Sequence, residues 1–403
     1  ALEKLGGEYT FRTRVYSDRT PSVKGEVGTL YVKGGGDPGL MVERVWLLAQ
    51  HIAHAGVKKI TGDLVLDDSF FDQQTVGPGF DEDASSKSYE CLIGALSASF
   101  NSLAVHVRPG DSAGAPVQTL LFPPIRGAQL TSKAVTAASG GAAIDVHTSK
   151  VGSSTGITVT GAMDKNATPR YIYRKTWQTW ENFGNILWSF FEKEGILVEG
   201  ELRRGVVPDS LSARGALVTL ESEPLTTFVD HMFKFSSNFA AEMVFKTLAA
   251  EHVSVPGSWE KGVVVASRWW KESGLPGTPV IKNGSGLGNT NRISCEQVVG
   301  LLDYVWKKKT YAPEFVSALS IAGVDGTVKS RFLTSPLRGA VRAKTGTLNS
   351  YGVGTLAGYI FLPKRTLAFA ILINEPKRDQ VQHWRLQEKI LEESVKSLGD
   401  QLN

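Results

Sequence analysis

Two short motifs in this 403-residue chain carry side chains suited to serine acyl transfer. The first is Lys344-Thr345-Gly346, one third of the signature S-x-x-K, S-x-N and K-T-G. On an edge strand, the lysine ammonium and the threonine hydroxyl can hold a substrate carboxylate, and the glycine leaves room for close approach of the backbone. The strand can also pair with a peptide and offer an N–H to an oxyanion. The alternative is a hairpin strand with a solvated lysine.

The second motif is Ser236-Ser237-Asn238, which matches S-x-N and lies between two helical patterns. A loop held at both ends would project Ser236 and Asn238 into a cleft. There the serine could relay a proton and the asparagine could bind a substrate amide. The alternative is helix N-capping, for which Ser and Asn are equally suited.

The nucleophile motif S-x-x-K has one strict match, Ser258-Trp-Glu-Lys261. It opens a helical pattern, which is typical of a cap, and it follows S-x-N instead of preceding it. We therefore reject Ser258 as the nucleophile.

The elements that must position these motifs are readable from hydrophobic periodicity. Helices are predicted over residues 225–235, 238–251 and 259–274, and a final helix over 380–398. Two apolar strands are predicted at 354–361 and 366–373, next to the K-T-G run. Residues 92–161 are predicted to be rich in strands. The sequence thus predicts a helix-and-sheet unit in the C-terminal half, preceded by β-rich material.

Composition and charge narrow the class of protein. The chain is 42% hydrophobic with a net charge of +4, and its basic residues are scattered, which argues against a nucleic-acid groove. No run approaches the roughly twenty apolar residues of a membrane span. Cys91 and Cys295 are predicted to be unpaired and at least partly buried. No metal ligands or cofactor motif are expected.

Ordered blocks along nearly the whole chain make a specific resemblance. They are residues 35–38, 56–68, 70–71, 78–80, 96–101, 236–238, 255–259, 283–287, 321–326 and 344–346. With these blocks the chain resembles the low-molecular-mass class C penicillin-binding proteins, the D-alanyl-D-alanine carboxypeptidase/endopeptidases of the peptidase S13 type.

The resemblance implies an α+β fold: a penicillin-recognising, β-lactamase-like domain with an antiparallel sheet flanked by helices, split by a large β-rich insert. The implied catalytic domain comprises residues 1–17 and 221–403, and the insert comprises 18–220. The resemblance assigns catalytic roles to Ser236, Asn238 and Lys344. It assigns substrate binding to Thr345, Gly346, Thr347, Asn349, Tyr89 and Asn289.

The implied activity is a serine DD-peptidase of the periplasm or cell envelope. It would cleave D-Ala-D-Ala and D-Ala-diaminopimelate bonds of peptidoglycan stem peptides through an acyl-enzyme, and β-lactams would acylate it. By the family's spacing, the S-x-x-K serine is expected about seven residues before Ala1. Some relatives place an arginine where this chain has Asn289, with Arg292 three residues on, so recognition of diaminopimelate stays open.

Two other functions compete with this interpretation. A non-catalytic peptidoglycan-binding protein or scaffold would keep the cleft without the nucleophile. A β-lactamase is disfavoured because the long insert is typical of the peptidases. The retention of Ser236, Asn238, Lys344 and Thr345 favours the enzyme.

Overall fold

The computed structural model of the protein describes residues 1–80, 86–140, 143–152, 154–308, 310–376 and 379–399. The chain divides into two compact units. The C-terminal unit comprises Ala1–Tyr9, Pro224–Ala241 and Trp259–Asn403, and the central unit comprises Thr10–Glu223 and Glu242–Ser258. The family-based domain boundaries at residues 17 and 221 stay a prediction.

Both helices and strands are present in the described residues. The helices are α1 (Leu2–Leu5), α2 (Val42–His54), α3 (Trp180–Lys193), α4 (Asp209–Arg214), α5 (Leu225–Phe235), α6 (Asn238–His252), α7 (Trp259–Glu272), α8 (Cys295–Trp306), α9 (Ala312–Ala318) and α10 (Gln380–Ser397). The strands are β1 (Arg12–Ser17), β2 (Glu26–Val27), β3 (Leu30–Lys33), β4 (Lys59–Ile60), β5 (Leu64–Asp67), β6 (Ser102–Arg108), β7 (Gln118–Phe122), β8 (Gln129–Ser132), β9 (Val135–Ala137), β10 (Asp145–Val151), β11 (Ser154–Thr160), β12 (Ala162–Asp164), β13 (Arg170–Lys175), β14 (Leu197–Val198), β15 (Leu202–Arg204), β16 (Val218–Glu221), β17 (Ser320–Ile321), β18 (Val341–Leu348), β19 (Val353–Leu362) and β20 (Arg365–Asn374).

The C-terminal unit is built on one antiparallel sheet with the strand order β17-β18-β19-β20. Side chains of successive strand residues point to opposite faces, so β18 contributes Val341 and Ala343 to one face and Lys344 to the other. On the first face, Val341 and Ala343 pack with Leu391 and Val395 of α10 in one buried cluster.

The opposite face of this sheet is covered by α8. Leu302 of α8 packs with Tyr359 of β19, and the Tyr359 hydroxyl donates a hydrogen bond to the Leu302 carbonyl oxygen at 2.7 Å. Helices therefore flank the antiparallel sheet on both faces, and Lys344 lies on the same face of β18 as the α8 contacts.

The central unit is rich in strands, as the sequence predicts. Among its described residues, the largest sheet has the order β15-β5-β3-β1-β16, and four smaller sheets hold the other strands found there. Helix α2 buries Val45, Leu48 and Ile52 at helical spacing, and they join one apolar core with Phe183 and Leu187 of α3.

Two adjacent carboxylates at the end of β5, Asp67 and Asp68, bind strand β15 and the residues that follow it. The Asp67 carboxylate, fully buried, accepts a hydrogen bond from the Val207 N–H at 2.9 Å. Asp68 makes a two-point ion pair with Arg204, with Nε–Oδ1 at 2.7 Å and Nη2–Oδ2 at 3.0 Å. The pair ties β15 to β5 at the edge of the sheet.

One sequence prediction needs correction here. Cys91 is buried, but Cys295 is exposed, so the prediction that both thiols are at least partly buried was wrong for Cys295. Cys295 is the first residue of α8, directly after the capping residue Ser294, where the helix start faces solvent. No helix among the described residues is long and apolar enough to cross a membrane.

The Arg204–Asp68 pair generates a stability prediction. Replacing Arg204 by alanine leaves a carboxylate that is only 9% exposed without its charged partner. We expect the free energy of unfolding of Arg204→Ala to fall by about 2 kcal/mol, measured by urea denaturation. The neighbouring Arg203 is 59% exposed in its own ion pairs, so Arg203→Ala should cost about 0.5 kcal/mol. Equal losses of unfolding free energy in the two variants would contradict the stabilising role of the Arg204–Asp68 pair.

Candidate active site

Ser236 lies at the point where helix α5 ends. Leu225, Phe228 and Val229 bury one face of α5, and its last turn closes when the Ser236 N–H donates to the Met232 carbonyl oxygen. Ser236 itself adopts left-handed backbone angles, φ 56° and ψ 47°. That conformation costs a non-glycine residue roughly 1 kcal/mol. The backbone reversal presents the exposed Ser236 side chain at the end of the helix.

Ser237 starts the next helix. Its hydroxyl oxygen accepts a hydrogen bond from the Ala240 N–H at 3.2 Å, which is N-capping geometry for α6. Asn238 is the first residue of α6 and is half-buried. The capping role that competed with a site role in the sequence therefore belongs to the middle residue of the motif. Ser236 is left available for other contacts.

Lys344 meets Ser236 across 108 residues of sequence. The Lys344 ammonium donates to the Ser236 hydroxyl oxygen at 2.6 Å and to the Thr345 carbonyl oxygen at 2.8 Å. An ammonium has three N–H bonds, so in the described structure one of them remains for an anion. Because Ser236 accepts from Lys344, its own proton stays available to a substrate atom.

Burial of Lys344 changes its acidity. Desolvation lowers the pKa of the ammonium from its usual value to about 8. A half-buried cation that carries this desolvation cost gains strongly when an anion binds beside it, because the site has a lower dielectric constant than water. The site is therefore suited to carboxylate recognition near neutral pH.

One edge of β18 is open beside Lys344. Strand β17 pairs only with Ala343 and Arg342, so no strand of the described chain pairs with residues 344–348 on that side. The Ala322 N–H donates to the Val341 carbonyl oxygen, so odd-numbered residues of β18 direct their backbone groups toward this edge. The N–H of the exposed Thr347 thus faces the open edge, where an extended peptide can pair.

Gly346 is required by the packing of β18 on β19. A Cβ atom at Gly346 would lie 2.4 Å from Oγ1 of Thr355, its partner in the strand pairing. Any larger residue would force the Thr355 side chain to move. The glycine of the K-T-G motif therefore has a structural reason within this sheet.

Two hydroxyl residues that the sequence did not single out continue the site. Thr345 Oγ1 donates to Thr327 Oγ1 at 2.9 Å, and Thr327 Oγ1 lies 3.5 Å from Ser320 Oγ. Ser320 is fully buried and accepts from the Thr327 N–H at 3.2 Å. Residues 321–326 were one of the blocks of the family resemblance. However, Gly326-Thr327 matches no catalytic motif, so the sequence alone did not indicate a role for Thr327.

A lysine at the end of α5 holds the loop that carries Thr327. The Lys234 ammonium donates to the Leu319 carbonyl oxygen at 2.8 Å and to Asp325 Oδ2 at 2.7 Å. Asp325 Oδ1 in turn accepts from the Ile321 N–H at 2.6 Å. The helix that ends just before Ser236 is thereby connected to the segment beside Thr345.

The other predicted substrate-binding residues lie in different places. Asn349 is exposed and begins the short turn Asn349–Tyr351 between β18 and β19. Tyr89 is 48% exposed in the turn Ser88–Glu90 and belongs to the central unit. Asn289 is exposed in a loop of the C-terminal unit, where its carbonyl oxygen accepts from Arg292 Nη1 at 3.2 Å. The roles of these residues stay predictions.

Comparison with known proteins identifies the group to which this chain belongs. The model of the D-Ala-D-Ala carboxypeptidase 3 (S13) family matches residues 1–391. The chain belongs to this family. The predicted family and the predicted enzyme class, a serine-type D-Ala-D-Ala carboxypeptidase, are confirmed.

Two relatives carry matching names. A D-alanyl-D-alanine carboxypeptidase of an Actinomadura species is 31% identical over 385 residues, which are 93% of this chain and 71% of that protein. The D-alanyl-D-alanine carboxypeptidase DacB of Haemophilus influenzae is 26% identical over 387 residues, which are 92% of this chain and 77% of that protein.

Solved structures agree on the fold. Penicillin-binding protein 4 (DacB) of Haemophilus influenzae superposes with a TM-score of 0.81 at 23% identity, over 97% of this chain and 88% of that chain. A predatory endopeptidase of Bdellovibrio bacteriovorus superposes with a TM-score of 0.53 at 18% identity, over 99% of this chain and 83% of that chain. The predicted fold class, a penicillin-recognising domain with an antiparallel sheet and a β-rich insert, is confirmed.

The lowered pKa of Lys344 generates a prediction about pH. Below pH 8 the ammonium is charged and attracts a carboxylate, and above pH 8 it becomes neutral. We expect kcat/KM of the full-length protein for a D-Ala-D-Ala peptide to fall above pH 8 by up to about tenfold per pH unit. The measurement is a pH profile of peptide hydrolysis.

Lys344→Arg is the control for this profile. Arginine keeps its charge above pH 10, so the variant should be slower overall but should lose the decline near pH 8. If the decline persists at the same pH in Lys344→Arg, another group is responsible for it and the assignment is wrong.

Proposed function

We propose that this protein is a peptidoglycan DD-peptidase that works through an acyl-enzyme, both as a carboxypeptidase and as an endopeptidase. The observation that carries the proposal is the 2.6 Å contact between Lys344 Nζ and Ser236 Oγ beside an open strand edge. This contact joins two of the three motifs of serine acyl transfer in one site. We assign catalytic roles to Ser236, Asn238 and Lys344.

The substrate's terminal carboxylate binds at Lys344 and Thr345. The stem peptide pairs with the open edge of β18, and the Thr347 N–H points to the carbonyl oxygen that becomes an oxyanion. Asn238 binds a substrate amide, and Asn349 and Asn289 contact the rest of the stem peptide. The substrate-binding role of Tyr89 is carried over from the family resemblance alone. Gly346 lets β18 pack closely against Thr355 of β19, which supports the strand that the peptide would pair with.

The reaction has two steps. In this mechanism the serine of the S-x-x-K motif attacks the D-alanyl carbonyl carbon while its proton passes through neighbouring groups to the leaving amine. The C–N bond breaks and an ester to the enzyme forms. Ser236 passes the proton in this mechanism. Its hydroxyl accepts from Lys344 and keeps its own hydrogen, which supports that role. Water then hydrolyses the ester and restores the serine.

The leaving group decides between the two activities. Free D-alanine leaves in carboxypeptidase action, and the side-chain amine of diaminopimelate in a second stem peptide leaves in endopeptidase action. The structurally similar Bdellovibrio protein is named an endopeptidase, which supports the second activity. In this chain Asn289 stands where some relatives have an arginine, and Nη1 of Arg292 donates to the carbonyl oxygens of Asn289 and Asn291. We therefore expect broad tolerance of the cross-linking amine.

The β-lactams enter the same site as substrate mimics. A Haemophilus penicillin-binding protein 4 with the same fold is described in complex with a β-lactam, which supports the extension to this chain. A peptidoglycan substrate implies that the protein works in the periplasm or cell envelope. No cofactor is required by this chemistry.

The proposal predicts one covalent penicillin per molecule. Intact-mass spectrometry of the full-length protein with benzylpenicillin should show a single adduct of one penicillin mass. Lys344→Ala should slow adduct formation about 100-fold. Lys364→Ala removes the same side chain from the exposed turn between β19 and β20 and should leave the rate unchanged. An unmodified mass in the unmutated protein would contradict the acyl-enzyme.

Cleavage of two peptides separates the two activities. The protein should release D-alanine from a D-Ala-D-Ala stem peptide and should split a cross-linked muropeptide dimer into monomers, both followed by chromatography. Cleavage of the stem peptide but not of the dimer would support the carboxypeptidase activity and refute the endopeptidase activity.

A further inference from the structure

We infer that Thr327 is a positioning residue that orients the hydroxyl of Thr345 toward the substrate carboxylate. This inference rests on the proposed function of the site and extends it to residues outside the three family motifs. It concerns the chain of three hydroxyls formed by Ser320, Thr327 and Thr345 (the hydroxyl chain).

The direction of the protons along this chain determines what Thr345 can do. A threonine hydroxyl has one proton, so it donates one hydrogen bond and accepts others. In the structure Thr345 donates to Thr327 across 2.9 Å, which leaves no proton of Thr345 for a substrate. To bind a carboxylate, Thr345 must turn its proton outward and accept a hydrogen bond from Thr327 instead.

Ser320 makes that reversal possible. Its oxygen already accepts from the Thr327 N–H at 3.2 Å, so its own proton can point to Thr327 Oγ1, which is 3.5 Å away. Protons then run from Ser320 to Thr327, from Thr327 to Thr345, and from Thr345 to the carboxylate. Each hydroxyl in such a series polarises the next and strengthens the last bond.

The fold holds both inner hydroxyls in place for this task. Ser320 is fully buried and belongs to β17, which pairs with β18 one residue before Lys344. Gly326, at φ 56°, lets the loop turn tightly, and a Cβ atom there would lie 2.1 Å from Ser320 Oγ. Lys234 and Asp325 anchor the same loop from the end of α5. These contacts hold Thr327 beside Thr345.

The test compares ligands with and without the carboxylate. We expect Thr327→Val, which keeps the shape but removes the hydroxyl, to slow acylation by benzylpenicillin about tenfold. Acylation by benzylpenicillin methyl ester, which lacks the anion, should change less than about twofold. Thr327→Ser should restore most of the rate. Thr334→Val, at an exposed threonine between the same loop and β18, is the matched control and should behave like the unmutated protein.

Two results would overturn the inference. One is an unchanged rate of benzylpenicillin acylation in Thr327→Val. The other is an equal loss with the acid and the ester, which would indicate a general structural defect instead of a carboxylate effect.

Equilibrium binding separates this inference from the proposed function. Calorimetry can use the analogue of N-acetyl-D-alanyl-D-alanine in which a CH₂–NH bond replaces the scissile amide, so that no chemical step follows binding. Thr327→Val should weaken its binding about tenfold relative to the C-terminal amide of the same analogue. If the protein is not acylated but the carboxylate effect is present, the acyl-enzyme proposal fails and the role of Thr327 stands. If acylation occurs without the carboxylate effect, the acyl-enzyme proposal stands and the role of Thr327 fails.

Discussion

The hydrogen bond between Lys344 and Ser236 is the contact on which the site depends. It joins the end of a helix to the middle of a strand that lies 108 residues later in the chain. For the two atoms to come within 2.6 Å, α5 must end at Phe235, Ser236 must adopt a left-handed conformation, and β18 must keep its register with β19. The strained backbone at Ser236 and the close approach at Gly346 are local costs of bringing these groups together.

The electrostatics of the site follow from the same arrangement. Lys344 is desolvated, and in the described part of the chain no carboxylate forms an ion pair with it, so its pKa falls to about 8. A partly buried cation that has no counter-ion in the protein binds an incoming anion more strongly than a paired one. Lys234 of α5 has a structural role instead, because its ammonium is paired with Asp325 in the loop before β18. The different surroundings of the two lysines distinguish a recognition group from a structural one.

Much of the fold was accessible from the sequence because its longer elements have clear periodicity. Helix α5 was predicted with its observed bounds, and α6, β19, β20 and α10 were predicted within about one residue at each end. Ser236 and Lys344 were predicted as site residues from the S-x-N and K-T-G motifs. Strand β17 has only two residues and no periodicity, so it was not predicted. The hydroxyl chain of Ser320, Thr327 and Thr345 was missed because single hydroxyl residues gain meaning only when the tertiary structure brings them together.

The most direct test of this account is a crystal structure of the full-length protein acylated by benzylpenicillin. The account predicts that the penicillin carboxylate lies within hydrogen-bonding distance of Lys344 Nζ and Thr345 Oγ1. It also predicts that the acyl oxygen lies on the Thr347 N–H at the open edge of β18. A penicillin attached elsewhere, or one whose carboxylate points away from Lys344, would contradict the central claim that this lysine and its strand form the carboxylate site.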